Sequence, residues 1–277
     1  MDLSICSFSF HRLLAAGKQD IFKYITDCKE LGCTLLDPWN AHLAELKDGD
    51  SVLFAGHNPD QAHLSAVDEV YVDQVKGAAE VAGLPFGCIA VDGAHIYEAD
   101  PEVREANRAK AYRWISIAQT LKARQVRIDS GGPAELPDDV LAIIVDGYND
   151  VIKYAADRGV EVLIENHWGP SPIPENLVRI LDSVEGLGLL FDTNNWADGM
   201  QEKGWQMCAK YARATHVKTF QFDAAGNEPS VDIPKAMHYL LDAGYNGAWG
   251  IESCPTDGDE YTGARKTIEL IHRVLNA

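Results

Sequence analysis

Val162-Leu163-Ile164-Glu165 is a short apolar run that ends on a carboxylate, and three later stretches repeat its form: Gly188-Leu189-Leu190-Phe191-Asp192, Ala214-Thr215-His216 and Ala248-Trp249-Gly250-Ile251-Glu252. An apolar run bounded by turn residues and alternating with helical pattern reads as a buried parallel strand. The terminal residues then sit at strand C-termini, the edge on which α/β sheets carry their chemistry. A carboxylate is costly to bury alone, so three carboxylates and one imidazole brought to one spot need a cation among them.

Working outward, the chain reads as eight strand-then-helix units of about 30 residues each, and eight is the number that closes a (β/α)8 barrel. The strands are expected at 3–9, 34–37, 86–91, 125–129, 161–165, 188–192, 214–218 and 248–252. Helical punctuation fills the intervals. Asp20 precedes Ile21, Tyr24, Ile25, Cys28 and Leu31 at helical spacing, with Gly32 as the stop. Pro101, Pro137 and Pro174 stand near later helix starts, and Gly83, Gly159 and Gly244 follow helix ends. The strand-to-helix loops at 40–59, 92–100 and 221–231 are long, as a pocket on the catalytic edge requires. No linker or composition shift divides the chain, which reads as a single domain over 1–277.

An apolar fraction of 46% is ample for a core, and a formal net charge of −18 opposes nucleic-acid or anionic-membrane partners. No apolar stretch has the length of a membrane span and no signal region opens the chain, so a cytoplasmic location is expected. The six cysteines contain no C-x-x-C pair and read as reduced core residues.

Glu165, Asp192, His216 and Glu252 lie on the fifth to eighth expected strands and can point inward around one axis. Three oxygens and an imidazole suit Mn²⁺, first among Mn²⁺, Mg²⁺, Co²⁺ and Zn²⁺, and the absence of thiolate argues against a closed structural zinc site. Lys218, two residues past His216, faces the same side by strand alternation and could stabilise an oxyanion or a substrate hydroxyl; His167 shares the face of Glu165 and is a candidate for substrate hydroxyls. His11, Trp39, His42 and His95 fall at strand ends or loops on the same edge, and Trp39 and Trp196 could offer an apolar platform to an amphipathic ligand. Arg127 and Asp129 lie on the fourth expected strand with alternating parity and read as forming buried ion pairs with neighbouring barrel residues.

Ile164-Glu165-Asn166-His167, Phe191-Asp192-Thr193, His216-Val217-Lys218 and Ile251-Glu252 resemble the metal motifs of the xylose isomerase-like TIM barrel superfamily, and within it the sugar phosphate isomerase/epimerase group. Ser7-Phe8-Ser9-Phe10-His11-Arg12 and Gly244-Tyr245-Asn246-Gly247 extend the resemblance over nearly the whole chain. The resemblance implies one divalent ion on Glu165, Asp192, His216 and Glu252, with Glu165 and Glu252 also serving as the acid/base pair. The implied reaction is isomerisation or epimerisation of a keto-sugar or polyol by proton transfer through an enediolate. Epimerase members often carry histidine three past the Asp192-type ligand, where this chain has Asn195, which can bind a hydroxyl but does not titrate. A lyase or dehydratase of the inosose, dehydroshikimate or keto-sugar type is the alternative on the same site. An apurinic-site endonuclease and a non-catalytic sugar-binding protein rank lower. The chain has no glycine-rich phosphate loop, which favours a neutral substrate over a phosphorylated one. A homodimer is expected for a barrel of this kind.

Overall fold

The computed structural model describes residues 1–43 and 69–276. Among them seven parallel strands form one curled sheet in the order β1-β7-β6-β5-β4-β3-β2. They are β1 (Leu3–Ile5), β2 (Cys88–Val91), β3 (Gln125–Ile128), β4 (Glu161–Glu165), β5 (Gly188–Asp192), β6 (Ala212–Thr219) and β7 (Trp249–Ser253). This is the expected α/β barrel architecture with one stave irregular. The stretch at 34–37 is not a strand. It makes isolated parallel bridges, Cys6 to Asp37 on one side and Leu36 to Phe86 on the other, with Trp39 bridging Ala90 further along. It therefore closes the gap between the two ends of the sheet without a continuous ladder.

The physical reason lies in side chains that compete for backbone partners. Asp37 Oδ1 accepts from the amide of Cys88 at 2.8 Å, and its Oδ2 accepts from the Ser4 hydroxyl. Pro38 then has no amide to give a ladder. The same competition ends β1 at Ile5 instead of Ser9. Ser7–Phe10 form a 3₁₀ turn, in which Ser7 Oγ accepts from the Trp39 amide at 2.8 Å and Ser9 Oγ accepts from the Ser253 amide at 3.0 Å.

Helices pack around the sheet, and their ends follow the sequence signals. Asp20 caps Ile21–Glu30 by accepting from the Lys23 amide. Pro101 and Pro174 open Pro101–Leu121 and Pro174–Ser183, and Pro137 stands one residue before Asp138–Ala156. Gly83, Gly159 and Gly244 all take the left-handed backbone of a helix stop. The expected loop at 40–59 begins with a short helix, Asn40–Leu43; its remainder lies outside the described residues. Among the described residues no helix is long and apolar enough to cross a membrane.

Strand alternation divides the interior into two apolar regions. Val162, Ile164, Leu189, Phe191, Val217 and Ile251 point outward into the large core shared with the helices. Their neighbours Leu163, Leu190 and Ala214 point the other way and meet Cys88 inside the barrel. Two residues further along the same strands, on the same inward face, stand Glu165, Asp192 and His216. The inner apolar cluster is thus the floor beneath the candidate site.

Candidate metal centre

Register brings the four expected ligands together. Asp192 of β5 pairs with His216 of β6, and Lys218 of β6 pairs with Glu252 of β7. A register shift between Leu189 and Leu190 skips Arg213, so the β5 and β6 residues of inward parity come level at the top. Between β6 and β7 the backbones approach closely at Gly250, where a Cβ would lie 2.1 Å from the Thr215 carbonyl oxygen.

One ligand atom each from Glu165, Asp192, His216 and Glu252 can be chosen so that all lie within 4.8 Å of one another, and all four residues are buried. His216 Nδ1 stands 2.9 Å from Glu252 Oε2 and 3.2 Å from Glu165 Oε1. Asp192 Oδ1 accepts from the amides of Asn194 and Asn195, at 2.7 and 2.9 Å, which fixes the carboxylate. Its other oxygen, Oδ2, is buried without a hydrogen-bond partner. A buried carboxylate oxygen left bare in a ring of ligand atoms is what a divalent cation satisfies, so the donor set fits a metal.

The electrostatics agree. Burial pushes the Asp192 carboxyl up to about 6, reinforced by the Glu252 and Glu165 charges and opposed by Lys218. Burial also works against ionisation of Glu252, yet Lys218 and His216 hold it well below the usual carboxylate range. Glu165 is likewise held low against its burial by Arg127, His167 and His216. Lys218 Nζ lies 2.7 Å from Glu252 Oε1 and 3.6 Å from Asp192 Oδ2, and these charges raise its pKa well above normal although burial opposes it.

A second layer of contacts surrounds this group. Asn166 clamps β5 by donating to the Asp192 carbonyl at 3.0 Å and accepting from the Asp192 amide at 2.9 Å. Asn195 Nδ2 donates to Glu165 Oε1 at 3.5 Å, placing this non-titrating side chain against the centre. His167, about a quarter exposed at 24%, has its Nδ1 3.1 Å from Asp129 Oδ2 and 3.9 Å from Glu165 Oε2.

The remaining expected substrate contacts divide. His11 stacks on Phe8 at 4.4 Å and its Nδ1 meets the Phe8 carbonyl at 2.7 Å. Trp39 is buried and donates through Nε1 to Asp92 Oδ2 at 2.7 Å. His42 is 1% exposed, tilted against Tyr24, with neither ring nitrogen hydrogen-bonded among the described residues. Trp196 is 7% exposed and packs its edge on Phe191, with its indole ring against Gly204. Neither indole therefore forms an open platform in this structure. His95 Nδ1 lies 3.8 Å from Glu98 Oε1.

Two features of the centre escaped the sequence reading. The Cys6 thiol comes within the same reach of His216 and Glu252. Arg127 and Asp129, expected only to pair with unspecified barrel neighbours, pair with each other at 2.8 Å, and Arg127 also reaches Asp92 at 2.8 Å and Glu165 at 3.0 Å. The available signal for the last contact was parity, since Arg127 and Glu165 are both inward residues on adjacent strands.

Comparison with known proteins follows the same line. No curated protein matches the sequence significantly. Among solved structures, an L-ribulose 3-epimerase is similar over 100% of this chain and 95% of its own, with 15% identity and a TM-score of 0.73. A xylose isomerase-like TIM barrel protein from Mycobacterium smegmatis in complex with magnesium is similar over 99% and 96%, with 16% identity and a TM-score of 0.71. The probable 3-DHS dehydratase AsbF from Bacillus anthracis is similar over 97% and 99%, with 14% identity and a TM-score of 0.68. At such identities these likenesses speak for the fold alone. The family model described as xylose isomerase-like TIM barrel matches residues 25–274, and the chain belongs to that family.

Proposed function

We propose that this chain is a divalent-metal-dependent isomerase or epimerase that moves a proton on the carbon beside the carbonyl of a neutral keto-sugar or keto-polyol. The observation that carries the reading is the convergence of Glu165, Asp192, His216 and Glu252, with Asp192 Oδ2 buried and without a hydrogen bond. These four residues would hold the ion, with Mn²⁺ preferred. When bound, the ion supplies polarisation of adjacent carbonyl and hydroxyl oxygens, which lowers the pKa of the intervening C–H. Glu165 and Glu252 come from β4 and β7, so one carboxylate can take the proton and the other can return it. Lys218 keeps Glu252 ionised, as a base must be, and offers a proton to a substrate oxygen. His167 and Asn195 are assigned to substrate hydroxyls, and His11, Trp39, His42 and Trp196 to the walls of the pocket. Structural neighbours that include an L-ribulose 3-epimerase support the substrate class. All six cysteines are free, in keeping with a cytoplasmic enzyme, and a homodimer is its proposed state.

A lyase is the second reading, and Lys218 is the observation that favours it. An ammonium 2.7 Å from Glu252 Oε1 can protonate a departing hydroxyl, and a probable dehydratase is among the neighbours. Incubation of the Mn²⁺-supplemented protein with keto-sugars and inososes in deuterated water separates the two. Deuterium in a recovered isomer supports the isomerase, and loss of water supports the lyase. Neither outcome across the panel would count against both.

A further inference from the structure

Beside the four-residue centre lies a second group able to ligate metal, Asp129, Glu165 and His167, whose ligand atoms also fall within 4.8 Å of one another. Glu165 belongs to both groups, the form expected of a two-cation site with a shared carboxylate. A cation already stands there, supplied by the chain. Arg127 Nη1 lies 2.8 Å from Asp129 Oδ2, and Arg127 Nε lies 3.0 Å from Glu165 Oε2. One oxygen from each carboxylate, Asp129 Oδ2 and Glu165 Oε2, therefore faces the guanidinium, while Asp129 Oδ1 is buried without a hydrogen-bond partner.

We propose that Arg127 is a built-in substitute for a second cation and makes this centre mononuclear. The inference rests on the metal-dependent reading above and deepens it. Arg127 is held from three elements: Asp129 and Glu165, and Asp92, whose Oδ1 is 2.8 Å from Nη1. Asp92 is itself fixed through its Oδ2 by the Trp39 indole. The Arg127 side chain is 5% exposed, and a buried cation so paired is not displaced without stranding its partners. The guanidinium stays charged at every accessible pH, so the position is permanently filled.

Charge balance argues the same way. Asp92, Asp129, Glu165, Asp192 and Glu252 face two side-chain cations, Arg127 and Lys218. One divalent ion nearly cancels the excess; a second would reverse its sign and confront Arg127 across shared oxygens. Arg127 is thus a positioning residue. It ties down Glu165 Oε2 and leaves Oε1 toward His216, where an ion would be held, and it steadies Asp129, which contacts His167.

The test is Mn²⁺ stoichiometry of the metal-stripped chain by calorimetry, with the paramagnetic resonance spectrum of the bound ion. The wild-type chain is expected to take one equivalent with an isolated-ion spectrum, even at millimolar Mn²⁺. R127M, which removes the charge while keeping a long side chain, is expected to take two with exchange coupling, whereas R127K stays at one. Two coupled ions in the wild type overturn the proposal whether or not R127M folds, and so does a folded R127M that still binds one. The wild-type arm also separates this inference from the reading beneath it, because a protein that binds no Mn²⁺ removes both, whereas one that binds two removes only the inference.

Discussion

Asp192 and His42 represent two ways for a buried polar side chain to persist, and each leads to a measurement. Asp192 keeps one oxygen on two backbone amides and the other without a hydrogen bond, 3.6 Å from the Lys218 ammonium. Lys218 is the nearest relief for the carboxylates in the absence of a metal, pairing Glu252 at 2.7 Å. Removing one member of a buried pair costs about 3–5 kcal/mol, so Lys218→Met should lower urea stability by that order in metal-free protein and by less with Mn²⁺ present. Glu165→Gln and Glu252→Gln should each cut turnover by about 10²-fold or more while leaving circular dichroism unchanged, because a general acid/base group is worth that much. His42 instead stays neutral: burial lowers its pKa to about 3 from an ordinary value near 6.5. The unfolded chain binds the proton first, so the native state loses stability as pH falls below about 6.5 and continues to lose it down to about 3. The urea midpoint should fall more steeply between pH 7 and pH 5 in the wild type than in His42→Leu. The convergence of Glu165, Asp192, His216 and Glu252 was legible in the sequence because alternation along a strand is local. The link from Arg127 to Glu165 was not, since it depends on how far β3 and β4 slide past one another.

Among the elements, β6 and β7 show how closely the site depends on strand approach. A methyl on Gly250 would meet the Thr215 carbonyl oxygen at 2.1 Å, and backbone cannot yield as a flexible side chain can. Gly250→Ala should therefore cost about 1–3 kcal/mol, the usual penalty for overpacking, and disturb the pairing that sets Glu252 beside Lys218. A lowered melting temperature together with weaker Mn²⁺ binding would show both effects. Leu163 belongs to the inner cluster with Cys88, Leu190 and Ala214, directly beneath Glu165. Its replacement by Ala should cost about 2–5 kcal/mol by opening a cavity in the barrel floor. Most strands were legible as apolar runs between turn signals. The segment at 34–37 was not, because its apolar run resembles a strand while Asp37 and the following proline divert the backbone bonds that a ladder needs.

At the scale of the whole molecule, the barrel is the device that turns four strand ends into one centre. Binding to the native state alone stabilises it by about 2.7 kcal/mol at a hundred times the dissociation constant. For a chain of this size that should raise the melting temperature by roughly 5–10 °C, and a chelator should reverse the gain. The unit count and the family resemblance made the architecture readable before any coordinates, and the match over residues 25–274 agrees with it. The closing stave was harder to foresee, being made of single bridges between the sheet ends. The most direct measurement is anomalous diffraction from a crystal grown with Mn²⁺. The account predicts a strong peak bounded by the side chains of Glu165, Asp192, His216 and Glu252, about 2.0–2.3 Å from their ligand atoms, as carboxylate and imidazole donors to such ions require. A fully occupied crystal with no peak among those four side chains, or with its peak elsewhere in the barrel, would contradict it.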